Sequence, residues 1–159
     1  MNEFYITRDK YLELVADLQR LKKEERPAII KAIQEARALG DLSENAEYSS
    51  AKEKQGLIET RISELQAKIS HARILDESKI RTDVVVVGVR VSLRDLDTGD
   101  IVVYTIVGRD DADYSVNRIS NESPVGKVMI GKKIGDKVLV RAPGGSTKYE
   151  LVGIEKAFN

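Results

Sequence analysis

Three carboxylates crowd into one short stretch, Gly40-Asp41-Leu42-Ser43-Glu44-Asn45-Ala46-Glu47-Tyr48. Asp41 and Glu44 stand three apart, and across the start of a helix that spacing lets both face one ligand. Two such groups supply one or two of the roughly six oxygens that Mg2+ prefers, and no complete cage. The chain alone is therefore expected to hold Mg2+ weakly, with a neighbouring macromolecule completing the site. Two other readings fit the same residues. Asp at a helix N-cap with Glu three residues later resembles a capping box, and acids on a surface turn are often merely solvated. Leu42, an apolar residue within this polar turn, points toward contact with something. Tyr48 either packs at the base of the turn or touches a partner. Arg37, Lys52 and Arg61 could form a modest basic face, although basic residues on exposed helices usually serve solubility.

The flanking sequence is helical. Leu14, Leu18 and Leu21 recur at spacings of four and three, and Ile29, Ile33 and Ala36 repeat the pattern shifted by one position. Pro27 lies between them and cannot donate its amide, so a bend or a register adjustment is expected there. Thr7 can cap the first helix, with Asp9 in its first turn. Gly40 interrupts the pattern. Ile58, Ile62, Leu65, Ile69 and Ala72 then follow a heptad seam. A connection over residues 39–44 is short enough to force the two helices into an antiparallel pair. That argues against a dimerising coiled coil. About 30 residues per helix at ~1.5 Å each give an arm roughly 45 Å long, with the acidic turn at its tip. His71, beside the seam, is expected to meet solvent or a local hydrogen bond.

The second half changes period. Residues 84–87 and 89–93 read as strand interrupted by Gly88, and Asp97-Thr98-Gly99-Asp100 reads as a turn into Ile101–Val107. Ser123-Pro124 can open a short helix carrying Val128, Met129 and Ile130, with Gly131 and Gly135 ending it. Residues 137–140 read as strand, Pro143-Gly144-Gly145 as a tight turn, and Tyr149, Leu151 and Ile154 as the returning strand. The class is α+β, with a helical hairpin over residues 1–78 and a small β domain over 79–159.

Composition removes several function classes. Cysteine is absent and His71 is the single histidine, so disulfides and Cys- or His-rich metal centres are excluded. No apolar run approaches the roughly 18 residues of a membrane span, and the first residues lack the pattern of a secretory signal. The cytoplasm is the expected location. The 26 basic and 26 acidic side chains balance, which argues against a protein that coats nucleic acid and favours a protein partner.

The tip segment strongly resembles the tip motif of GreA/GreB-type transcription elongation factors. Glu35-Ala36-Arg37, Ala51-Lys52-Glu53, Ile119-Ser120-Asn121-Glu122-Ser123-Pro124-Val125-Gly126, Ile130-Gly131-Lys132 and Pro143-Gly144-Gly145 also resemble that family. The resemblance implies an antiparallel coiled-coil hairpin followed by an FKBP-like antiparallel β domain with a short helix. It implies a monomer whose β domain docks on the rim of bacterial RNA polymerase while the hairpin enters the secondary channel. Asp41 and Glu44 would then help hold a second Mg2+ shared with the polymerase, and backtracked nascent RNA would be cut near its 3′ end. The chain would be a cofactor, with the catalytic centre belonging to the polymerase. The residues expected to touch that partner are Leu42, Ser43, Asn45, Tyr48, Arg37 and Lys52 around the tip, and Ser123 and Pro124 in the second half. Ser49 stands where many relatives carry histidine. Three rivals remain. A channel inhibitor conflicts with the intact Asp41/Glu44 pair. A prolyl isomerase conflicts with a second half whose aromatics are only Tyr104, Tyr114, Tyr149 and Phe158. A plain coiled-coil scaffold leaves the tip unused.

Overall fold

The computed structural model describes residues 2–158. One unit consists of residues 9–72 with those before Phe4; the other consists of residues 4–8 and the chain from Arg73 onward. In the first, α1 (Arg8–Arg20) leads through one π turn (Leu21–Glu25) into α2 (Arg26–Arg37), and α3 (Ala46–His71) returns antiparallel against α2. The π turn explains the slipped seam. The Arg26 amide donates to the Leu21 carbonyl, five residues back rather than four, so one extra residue is absorbed without ending the helix. Pro27 follows at once, where a regular α-helix would have suffered its missing N–H and its ring clash. The expected register adjustment thus sits just before the proline.

The buried stripe is Leu14, Leu21, Ile29, Ile33 and Ala36 on the outgoing strand of helix, and Ala51, Ile58, Ile62 and Leu65 on the return. It tapers from Ile and Leu to two alanines nearest the turn, Ala36 and Ala51. The Arg26 guanidinium forks onto Glu59 at 2.8 and 2.9 Å, fastening α2 to α3 beside the stripe. The His71 Nδ1 lies 2.8 Å from the Ala67 carbonyl, a local bond of the expected kind.

In the second unit, β1 (Phe4–Ile6) pairs with β2 (Ala72–Ile74), a small sheet that the sequence pattern did not disclose. Thr7, the expected cap of α1, gives its amide and hydroxyl protons to the Asp111 carboxylate at 2.9 and 2.6 Å. Arg109 lies over the Phe4 ring, 4.9 Å from its centroid. These contacts hold the N-terminal strand to a segment more than a hundred residues away.

The main sheet contains β3 (Val89–Asp95), β4 (Ile101–Val107), β5 (Arg118–Ser120), β6 (Lys137–Ala142) and β7 (Gly145–Lys156), in spatial order β5-β4-β3-β7-β6. An all-antiparallel sheet was expected, and the sheet is mixed: β5 runs parallel to β4, with Ile106 opposite Ile119. Two 3-10 turns, Arg109–Asp111 and Tyr114–Val116, carry the chain back beside Thr105, within the last three residues of β4, and Asn117 reverses it at φ 56°. The expected strand over residues 84–87 is also absent. Val85 there exchanges hydrogen bonds with Lys132 and Gly131, each 2.9 Å, instead of joining the sheet. On β7 the register shifts by one opposite Ser92 and Leu93. This bulge explains why the inward residues Tyr149, Leu151 and Ile154 are spaced two and then three.

One sheet face and α4 (Pro124–Met129) enclose the core of this unit: Val85, Val89, Val91, Leu93, Ile106, Ile119, Met129, Val138 and Leu151. Met129 has no exposed surface; truncating a side chain so buried costs about 2–5 kcal/mol. Among the described residues no helix is long and apolar enough to cross a membrane.

Candidate functional site

The turn of the hairpin spans residues 38–45. Gly40, at φ 128°, takes the chain out of the helical direction in a conformation that side chains rarely adopt. The capping-box reading of Asp41 and Glu44 is overturned. The N-cap of α3 is Asn45, extended at φ −91° and ψ 100°, whose Oδ1 accepts the Tyr48 amide at 3.0 Å. Asn45 Nδ2 donates to the Ala36 carbonyl at the end of α2, at 2.6 Å. Asp41 and Glu44 therefore both precede the helix, on the loop, rather than straddling its start.

Asp41 folds back on its own turn. Its Oδ1 accepts the Ser43 amide at 3.0 Å and the Ser43 hydroxyl at 2.9 Å, an Asx turn that stiffens the loop. Its Oδ2 is bonded to no described residue, and Glu44 makes no hydrogen bond or ion pair with any described residue. Both residues are exposed. Three carboxylate oxygens thus remain available to a ligand: one of Asp41 and two of Glu44. Among the described residues no group of three or more His, Asp or Glu side chains is placed to hold a metal ion. The pair fits a hard cation only as a partial donor set.

The Ser43 amide, and then its hydroxyl, hold the Asp41 carboxyl below the usual aspartate range. Both bonds favour the ionised form. The stabilisation of the turn is therefore complete above the ordinary aspartate pKa and is lost as pH falls through the lowered value. We expect Ser43→Ala to move the Asp41 titration part of the way back up, because the amide donor survives and the hydroxyl does not. NMR titration of the side-chain carboxyl checks this; an unchanged midpoint would contradict it.

Leu42 is exposed, as is Leu39 before it, at 41% and 67% of their surface. Leu39 fell within the expected connection over residues 39–44 and was not singled out as a contact residue. Arg37 lies over the Tyr48 ring, 5.9 Å from its centroid, so Tyr48 packs at the neck of the turn. The Lys52 ammonium bonds Gln55 at 3.1 Å, and Arg61 pairs with Glu64 at 3.7 Å. The tip residues and their neck thus lie together, whereas Ser123 and Pro124 belong to the other unit.

Ser123 caps α4: its hydroxyl accepts the Gly126 amide at 3.0 Å and donates to the Ser120 carbonyl at 2.7 Å. Pro124 is exposed and borders a groove of about 540 Å³ between α4 and β6. Val128, Ile130 and Leu139 form apolar walls, and Lys127, Lys132, Lys137 and Arg141 line it with positive charge. The groove was not legible in sequence, since its cations come from separate elements.

The chain is 50% identical over 149 residues to the transcription elongation factor GreA of Thermodesulfovibrio yellowstonii, with 94% of each chain covered. It is 49% identical over 154 residues to that of Beijerinckia indica, covering 97% of this chain and 98% of the relative. Among solved structures it is similar to GreA factor homolog 1 of Thermus thermophilus, 28% identical, with a TM-score of 0.45 over 97% of this chain and 99% of the other. Residues 4–74 match the family described as "Transcription elongation factor, N-terminal", and residues 80–156 match "Transcription elongation factor, GreA/GreB, C-term". With matches of that extent over both parts of the sequence, the chain belongs to the GreA/GreB family of transcription elongation factors.

Proposed function

We propose that this elongation factor stimulates cleavage of backtracked nascent RNA by bacterial RNA polymerase, working as a cytoplasmic monomer. One observation carries the reading: the tip presents two carboxylates that the fold does not consume, because Asn45 has taken over the capping. The hairpin of residues 1–78 enters the secondary channel. The β domain of residues 79–159, FKBP-like in kind, docks at the rim through Pro124 and the helix start set by Ser123. The adjoining basic, apolar-walled groove supports that role, since it suits a protein surface carrying acidic and apolar groups.

At the active centre, Asp41 and Glu44 would help the polymerase hold a second Mg2+, which would supply charge stabilisation to the phosphodiester hydrolysis. Ser43 restrains the Asp41 Oδ1 and favours the ionised carboxylate, so the group would meet a cation already oriented and charged. Glu44 contributes the second anionic group. Leu42 and Asn45 in the turn and Arg37, Tyr48 and Lys52 on the flanking helices supply further contacts to the partner, with Leu42 as the apolar contact to the channel or to the RNA 3′ end. The hydrolysis itself belongs to the polymerase.

The test is release of short RNA fragments from polymerase halted on a backtracked template. We expect the factor to accelerate release with Mg2+ present, and the pure factor to leave free RNA intact. Magnesium-dependent degradation of free RNA by the pure chain would contradict the reading, as would unchanged release from the halted complex.

A further inference from the structure

The Asn45 side chain does two jobs, and a helix cap requires only one of them. A cap needs only an acceptor for an amide at the helix start, and aspartate, serine or threonine supply one as well as asparagine does. Asn45 meets that need through Oδ1, on the Tyr48 amide. Its Nδ2 reaches the opposite way, to the Ala36 carbonyl in the last turn of α2. One partner is a donor and the other an acceptor, so their chemistry also fixes which end of the amide points where. Of the common capping residues, aspartate has no proton to give at neutral pH, and the serine and threonine hydroxyls are too short to span both helices. Ala36 is buried, and Arg37, the next residue, covers the ring of Tyr48, whose amide Asn45 caps.

We infer that Asn45 is a positioning residue: its amide clamps the ends of α2 and α3 together and so fixes where the intervening loop holds Asp41 and Glu44. The inference rests on the proposed role of those carboxylates and adds a residue that touches neither metal nor RNA. Its place in the tip had suggested contact with the polymerase; both ends of its amide are instead engaged within the hairpin. The clamp matters because the carboxylates sit on a loop and not on a helix. With the neck open, Asp41 and Glu44 lose their common frame even though each side chain is intact. A displacement near 1 Å at a reacting centre can cost about a hundredfold in rate.

The experiment compares full-length Asn45→Asp and Asn45→Ser with the parent and with Asp41→Asn, on polymerase halted at a backtracked template. Both Asn45 variants retain an acceptor for the Tyr48 amide, and both lose the bond to Ala36. The expected result is a maximal cleavage rate about tenfold to a hundredfold below the parent. The factor concentration giving half the maximal rate should change less than about twofold, and the melting temperature by no more than about 3 °C. A role in docking would raise the half-saturating concentration and spare the maximal rate, and that split would overturn the inference. So would a parental maximal rate for Asn45→Ser, which would trace any loss in Asn45→Asp to its added charge. Asp41→Asn separates the two levels of the argument. If it is inactive while both Asn45 variants are fully active, the clamp is wrong and the carboxylate role stands. If it is fully active, the carboxylate role falls and the clamp's function falls with it.

Discussion

Asp41→Asn combined with Glu44→Gln should remove nearly all stimulated RNA cleavage while leaving the protein folded and still able to compete for the polymerase. The fold has little at stake in either charge. Asn45, not Asp41, caps α3. An asparagine at position 41 can still accept the Ser43 amide through its own Oδ1 and keep the Asx turn. Glu44 has no described partner to lose. The chemistry has a great deal at stake, because an amide oxygen is a far poorer ligand than a carboxylate for a hard cation. Deleting a single preorganised electrostatic contact in a transition state typically costs about a hundredfold to a thousandfold. We expect at least the lower figure for the pair, measured as fragment release at saturating factor, with partial recovery at raised Mg2+. The melting curve should shift by no more than a few degrees, and the variant should displace the parent from the polymerase. Near-parental release by the double variant would leave these residues without a mechanistic role.

Gly126→Ala should be among the most damaging glycine-to-alanine changes in the β unit. Gly126 lies in α4 against the Ser120–Asn121 backbone. A Cβ there would fall far inside contact distance of the Ser120 carbonyl oxygen and 3.0 Å from the Asn121 Cα. Neither can swing aside as a side chain would. The same Ser120 carbonyl receives both the amide and the hydroxyl of Ser123, so displacing it also undoes the cap of α4 and shifts Met129 in the core. Overpacking ordinarily costs about 1–3 kcal/mol, and a rigid backbone neighbour puts this site at or beyond the upper end. For a unit of this size that is roughly a 10–25 °C fall in melting temperature. The control is Gly56→Ala in α3, where nothing lies within 4 Å of the added Cβ. That change should stabilise the hairpin by about 0.5–1 kcal/mol through helix propensity. If Gly126→Ala melted within about 3 °C of the parent, the close packing of α4 on this backbone would be wrong.

One irregularity was legible in the sequence before its form was: the shift between Leu21 and Ile29 called for a register adjustment in the helix. The extra residue between Leu151 and Ile154 emerged only with the sheet. The π turn and the β-bulge are the two local ways of absorbing such a residue. The acidic tip was likewise legible, since Gly40 interrupts one seam and the second begins close behind it.

Sequence by itself determined the hairpin, its turn, the strand–turn–strand order of β3, β4, β6 and β7, and the helix start at Ser123-Pro124. Each of these is set by spacing or by the conformational limits of Gly, Pro and capping residues within a few positions of chain. Only the tertiary structure decided which polar residue of the turn caps α3, because Asp41, Ser43 and Asn45 all suit the role and Asn45 is the one that also bonds the Ala36 carbonyl. It also decided the pairing of β1 with β2, the parallel seat of β5 and the withdrawal of Val85 from the sheet. Segments of three or four residues carry too few side chains to specify a partner by periodicity. Their hydrogen bonds go to whichever groups the rest of the fold brings alongside, as the Thr7 amide goes to the Asp111 carboxylate across 104 residues.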